Sequence, residues 1–209
     1  MKLYEFHHAP NPRRVRIFIA EKGLDVEMVQ VDLPGREHFS PEFLQKNPLC
    51  DVPVLELDDG FCISQVSGIC RYLEAAFPEP ALYGRDAKEQ GLVAMWDNYA
   101  LQQGYLAATD AFRNSVEMFK GRAILGKKGY EQIPELAERG KSRVKDFYEN
   151  LDEFLASREF VAGSNFSIAD ITTLVTIDFS KSVNIQIDDS LTNLKNWYEK
   201  VSARPSMTA

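Results

Sequence analysis

Along the first eighty residues the spacing of apolar side chains changes several times, and each change marks an element. Lys2–Phe6 alternates apolar and polar positions as a half-buried strand does, and Val26–Val31 reads as a second strand. Between them Val15, Phe18 and Ile19 recur at helical spacing. This segment opens at Asn11-Pro12, an N-cap followed by a favoured first helical residue, and stops at Gly23. Strand, helix and strand make a β-α-β unit with the helix as crossover. Pro34–Asn47 reads as a loop holding a short helix near Pro41–Gln45.

The stretch from Asn47 to Glu74 organises the rest. Pro53 stands directly before Val54, Leu55 and Leu57, where a proline that opens a strand costs no ladder hydrogen bond and where a cis X-Pro bond can sit. Asp58-Asp59-Gly60 is a tight-turn sequence, so Pro53–Leu57 and Phe61–Ile63 are expected to pair as an antiparallel hairpin. A helix then starts at Ser64 or Gln65, with Ile69, Tyr72, Leu73, Ala76 and Phe77 as its apolar positions. The product is a sheet edge with a bent entry beside a helix N-terminus. An extended peptide can pair with backbone at Val52 there, while a carboxylate sits on the free N–H groups of the helix start.

Phe77–Leu82, with prolines bracketing a charge, reads as a linker. The expected organisation is an α/β domain over residues 1–80 and an all-helical domain over 86–209. In the latter a long helix is expected over about Asp86–Lys120, with Trp96, Tyr99, Tyr105 and Phe112 as core or dimer contacts and one or two left to face an apolar pocket. A second helix is expected over Ile133–Leu155, a third from Ser167, and a last over Leu191–Ala203. Ser167 stands three residues before Asp170, the spacing of a capping box, and this signal is structural rather than catalytic.

A net charge of −7 argues against nucleic acid or an anionic membrane as partner, and no apolar run approaches the ~20 residues that span a bilayer. The start of the chain has no apolar signal region. Three cysteines, Cys50, Cys62 and Cys70, show neither paired nor metal-type spacing, so no metal is expected and a reducing, cytoplasmic setting is the simplest reading. His7 and His8 would point to opposite sides of an extended chain, a poor metal pair. Tyr4 reads as a strand core residue. Arg13, Arg14 and Arg16 oppose the dipole of their helix; either an anion repays them or they reach solvent, the reading preferred for Arg14 and Arg16.

Over nearly its whole length the chain resembles the glutathione S-transferases, with a thioredoxin-like N-terminal α/β domain and an all-helical bundle behind it. The resemblance rests on Val52-Pro53, on Gln65 at the next helix start, on Phe166-Ser167-Ile168-Ala169-Asp170, and on the closing Leu194–Ser206 segment. It implies glutathione as co-substrate, held at Val52, Pro53, Gln65 and Val66, with His38 at the glycine carboxylate. It implies thiol activation for attack on a small hydrophobic electrophile in detoxification, or glutathione-linked disulfide or peroxide reduction, by a homodimer. The chain departs from the family at Ala9, where a serine donor often sits, at Val66, usually serine, and at Asp51, usually a cation or amide. Asn11 and Arg13 are then the candidates at the thiol, with Asn11 readable as helix cap, as thiolate donor, or as both. The alternative is a weakly catalytic or non-catalytic binding or regulatory member of the same fold. Dithiol oxidoreductase chemistry is set aside because Pro10-Asn11-Pro12-Arg13 lacks the cysteines it needs.

Overall fold

The structure, a computed structural model, describes all 209 residues. They form two compact units: Met1–Pro80 with Leu125–Lys128 and Thr208–Ala209, and Ala81–Ile124 with Gly129–Met207. In the first, β1 (Lys2–Glu5), α1 (Pro10–Glu21) and β2 (Glu27–Gln30) form the β-α-β unit. A 3-10 turn (Glu37–Phe39) and α2 (Pro41–Lys46) follow, then β3 (Val54–Glu56), β4 (Cys62–Ser64) and α3 (Val66–Ala76). The sheet order is β2-β1-β3-β4, with β1 parallel to β2 and antiparallel to β3, and β3 antiparallel to β4. Leu3 of β1 lies opposite Leu55 of β3, and both are fully buried.

Helix α1 starts earlier than its capping pattern suggests. Ala9 is the N-cap and Pro10 the first helical residue, so Asn11 is not a cap. The first turn needs no N–H partners, so a proline at its first position is tolerated and the helix begins ahead of Asn11. Gly23 ends it with φ +63°. The buried stripe of α3 is Val66, Ile69, Cys70 and Leu73, while Ala76 and Phe77 are exposed and Tyr72 is half-buried. The observed face shares Ile69 and Leu73 with the expected one and takes Val66 and Cys70 in place of Tyr72, Ala76 and Phe77. Tyr4 is half-buried rather than core; its hydroxyl donates to Glu56 at 3.0 Å, and Lys46 lies over its ring. Lys22, with its side chain wholly buried, donates to the carbonyls of Phe77 and Pro80, each at 2.7 Å, and pairs with Glu74 at 2.6 Å. It satisfies carbonyls of the chain that follows the end of α3.

The second unit is helical. The long helix expected to reach Lys120 is α4 (Ala87–Tyr99), a π-helical segment (Ala100–Tyr105) and α5 (Leu106–Arg113). It ends early because Asn114 turns its amide back onto the Asp110 carbonyl at 2.9 Å and accepts from the Ile133 N–H at 2.9 Å. Within the π segment Gly104 lies so close to Phe147 that an added Cβ would meet the ring at 2.5 Å. Trp96 and Tyr105 are buried, and Tyr99 and Phe112 half-buried. The remaining helices are α6 (Pro134–Leu155), α7 (Ile168–Ser180) and α8 (Thr192–Ser202).

Helix α7 is buried almost all round, as the central helix of a bundle is. Its capping box centres on Asp170, which is fully buried. One carboxylate oxygen accepts from the Ser167 N–H at 3.0 Å and hydroxyl at 3.1 Å; the other accepts from the Val161 N–H at 2.9 Å and Trp197 Nε1–H at 3.0 Å. Burial pushes this carboxyl up to about 6, against the lowering pull of those donors. The folded chain therefore keeps a proton that the unfolded chain releases near pH 3.8. The stability this proton confers is fully present below that value and lost as pH rises through about 6. Urea denaturation of wild type and Asp170→Asn between about pH 4 and 7 should show the wild type losing stability relative to the variant as pH rises, by roughly 1.4 kcal/mol per unit at most. The opposite slope would mean that the four donors hold the group ionised throughout.

Candidate functional site

The site is built on the loop between α2 and β3. Asn47 follows the last residue of α2 and is buried. Its Nδ2 donates to Asp51 Oδ1 at 2.6 Å and to the Asp51 carbonyl at 2.9 Å, and its Oδ1 accepts from the Leu49 N–H at 3.0 Å. The loop is wrapped around this one amide, with Cys50 forced to φ +59° and its side chain buried. The chain then passes through a cis Val52–Pro53 bond, and ladder pairing begins only at Val54, opposite Ser64. Neither the N–H nor the C=O of half-buried Val52 is used by a hydrogen bond within the chain.

Across the corner, Gln65 joins β4 to α3 at φ +69°, a region a non-glycine residue occupies at a cost of order 1–3 kcal/mol. This backbone turns its side chain to Asp51, and Nε2 donates to Asp51 Oδ2 at 2.9 Å. The Gln65 amide is therefore engaged with Asp51 rather than waiting for a ligand carboxylate. Asp51, at the position where the family usually has a cation or amide, is a fixed anion held by two neutral amides. Val66 is buried, so it offers the corner its backbone N–H and no side chain. No side chain caps α3, and the N–H groups of Val66, Ser67 and Gly68 have no acceptor within the chain. Exposed Ser67, the second residue of α3, escaped the sequence reading; the signal for it is a hydroxyl one place beyond the position where the family carries its own.

A second group lies at the start of α1. Pro10 and Pro12 have no N–H, so Asn11 carries the only backbone donor among the first three helical residues. Its Oδ1 accepts from Arg14 Nη1 at a long 3.5 Å, which leaves Nδ2 as a donor with no partner in the chain. Arg13 is half-buried in the same turn. Arg14 and Arg16 are buried instead of reaching solvent. Arg16 pairs with Glu5, and desolvation lowers its guanidinium against the raising pull of that carboxylate. His7 and His8 do not diverge, because the chain turns there; both are exposed, with ring centroids 5.5 Å apart. His38 lies on the 3-10 turn before α2, its ring 4.2 Å from that of Phe39.

Residues 1–75 match the family model for the glutathione S-transferase N-terminal domain, and residues 114–205 that for the C-terminal domain. The chain is 32% identical over 216 residues to glutathione S-transferase 2 of Saccharomyces cerevisiae, covering 99% of this chain and 88% of that protein. It belongs to the glutathione S-transferase family. The transferase also superimposes on the crystal structure of Gtt2 from Saccharomyces cerevisiae with TM-score 0.90 at 33% identity, covering 100% of this chain and 99% of that one. A glutathione S-transferase domain-containing protein from Marinobacter aquaeolei gives TM-score 0.87 at 38% identity, covering 99% and 100%. The first unit is thus the thioredoxin-like domain of a glutathione transferase, an enzyme class with glutathione as co-substrate. No helix of the transferase is long and apolar enough to cross a membrane.

Asn47→Ala should remove the amide around which the corner loop is folded and leave Asp51 short of one partner. Loss of about 2 kcal/mol of stability in urea denaturation is expected. A variant as stable as wild type would show that the loop holds its shape without Asn47.

Proposed function

We propose that the corner at Val52–Pro53 and the start of α3 seat glutathione, with its thiol at the start of α1. The observation that carries this is the unpaired Val52 backbone beside three unpaired α3 N–H groups and the Asp51 carboxylate. A cysteinyl backbone pairs with Val52 as a short added strand. The γ-glutamyl carboxylate sits on the N–H groups of Val66, Ser67 and Gly68 and takes the Ser67 hydroxyl. Its ammonium faces Asp51, which Gln65 orients. His38 serves the glycine carboxylate, and Arg13 adds positive potential at the thiol.

With Ala9 unable to donate from its side chain, the thiolate is held by the Asn11 N–H, the Asn11 Nδ2 and the dipole of α1. The reaction favoured is thiolate attack on a small hydrophobic electrophile. Disulfide exchange through the enzyme would need an accessible cysteine, whereas Cys50 and Cys70 are buried and burial raises the Cys62 thiol. The same reading makes the enzyme a cytoplasmic homodimer acting in detoxification, with exposed Leu92 and Met95 of α4 among its contact residues.

Calorimetric titration tests the seat. Asp51→Ala should weaken glutathione binding by about tenfold, the worth of one charge-assisted hydrogen bond, and Arg13→Ala should weaken it by a smaller factor. Unchanged dissociation constants in both variants would remove the assignment. With an aryl halide as electrophile, wild-type turnover should be slow. Asn11→Ala should lower kcat a further tenfold or so with little change in KM for glutathione, as loss of a donor felt mainly at the thiolate does. Fast turnover retained by Asn11→Ala would contradict the account of thiol activation.

A further inference from the structure

The turn between β1 and α1 is held by side chains that the seat described above does not use. Glu5 ends β1 and Gln30 ends β2, and the two are register partners on neighbouring parallel strands. Glu5 is buried, with one carboxylate oxygen paired to Arg16 Nη1 and the other accepting from Gln30 Nε2. From this base both side chains reach one residue of the turn. Gln30 Oε1 accepts from the His7 N–H at 3.0 Å, and Arg16 Nη2 donates to the His7 carbonyl at 3.0 Å. The peptide groups on both sides of His7 are thus clamped from the strands and from the helix. The turn then closes through the Ala9 N–H on the Phe6 carbonyl at 2.9 Å, and α1 begins at Pro10.

We propose that Glu5, Arg16 and Gln30 are positioning residues for thiol activation: by clamping the His7 backbone they fix the first turn of α1 and with it the donors of Asn11. The inference rests on the placement of the thiol at that turn. A buried ion pair is a weak source of stability, since apolar side chains of the same volume often serve as well. What this one supplies, with Gln30 held on the other Glu5 oxygen, is two oriented hydrogen bonds at a single turn residue. Precision matters more here than in an enzyme with a side-chain hydroxyl or thiol at the sulfur. A neutral amide and one backbone N–H leave little to spare, and a displacement near 1 Å can cost on the order of a hundredfold in rate.

Gln30→Met is the informative variant, because Gln30 is exposed and its replacement leaves the Glu5–Arg16 pair in place. The readouts are kcat and KM with glutathione and an aryl halide, and the pKa of the bound glutathione thiol from its ultraviolet thiolate absorbance. The expected result is kcat lowered by about five- to tenfold, KM for glutathione changed less than about twofold, and a raised thiol pKa, in a variant that melts as the wild type does. Wild-type kcat and thiol pKa in Gln30→Met would overturn the proposal. So would a loss of activity that follows a lower melting temperature and leaves the thiol pKa unmoved. Wild-type enzyme that shows no thiolate absorbance on binding glutathione would instead overturn the placement of the thiol on which the inference rests.

Discussion

A carboxylate held between two side-chain amides ties the site together. Asp51 takes one hydrogen bond from Asn47, at the end of α2, and another from Gln65, at the entry to α3. Two segments apart in sequence are joined through this one group: the corner loop that opens β3 and the start of α3. The two backbone distortions of the region, positive φ at Cys50 and at Gln65, flank the same residue on the two sides of the corner. Strain of this kind persists only where the surroundings over-determine it, and the Asn47–Asp51–Gln65 chain is what does so. The outcome is a rigid edge whose own polar groups, the Val52 backbone and the first N–H groups of α3, are left for a ligand.

On the proposed placement of glutathione, the chemistry at the thiol works with modest means. Lowering a thiol by two pKa units requires about 2.7 kcal/mol of preference for the thiolate. A helix terminus supplies roughly 0.3–1 kcal/mol when exposed and up to about 2 when partly buried. A neutral donor adds about 0.5–1.5 kcal/mol. One helix start, one backbone N–H and one side-chain amide therefore reach the requirement with little margin. That is why the two prolines around Asn11 matter: they clear other backbone donors from the first turn and leave the geometry of a single residue in control. The buried ion pair at Glu5 and Arg16 fits this picture, because it spends desolvation to hold a turn in place.

Much of the fold was legible in the sequence, because strand alternation and helical spacing report which side of each element is buried. The hairpin at Asp58-Asp59-Gly60 and the capping box at Ser167 and Asp170 are local features with local causes. The misreadings arose where a local rule met a distant partner. Asn11 has the side chain of a cap, yet the turn closed by Phe6 and Ala9 starts the helix two residues earlier. Arg16 has the charge of a surface residue, while Glu5 stands with Leu3 on the inward side of β1. An acid at an inward strand position was the available sign that a buried cation would meet it. The bond between Gln65 and Asp51 spans two elements and depends on a positive φ that side-chain type does not announce.

The central claim is that glutathione lies along the Val52 backbone with its γ-glutamyl end on the start of α3. The most direct test is a titration of the isotopically labelled enzyme with glutathione, followed through its backbone amide resonances. The account predicts that the amides of Val52, Val66, Ser67 and Gly68 shift together and saturate with one dissociation constant. Saturable binding that leaves these four amides unmoved would contradict it.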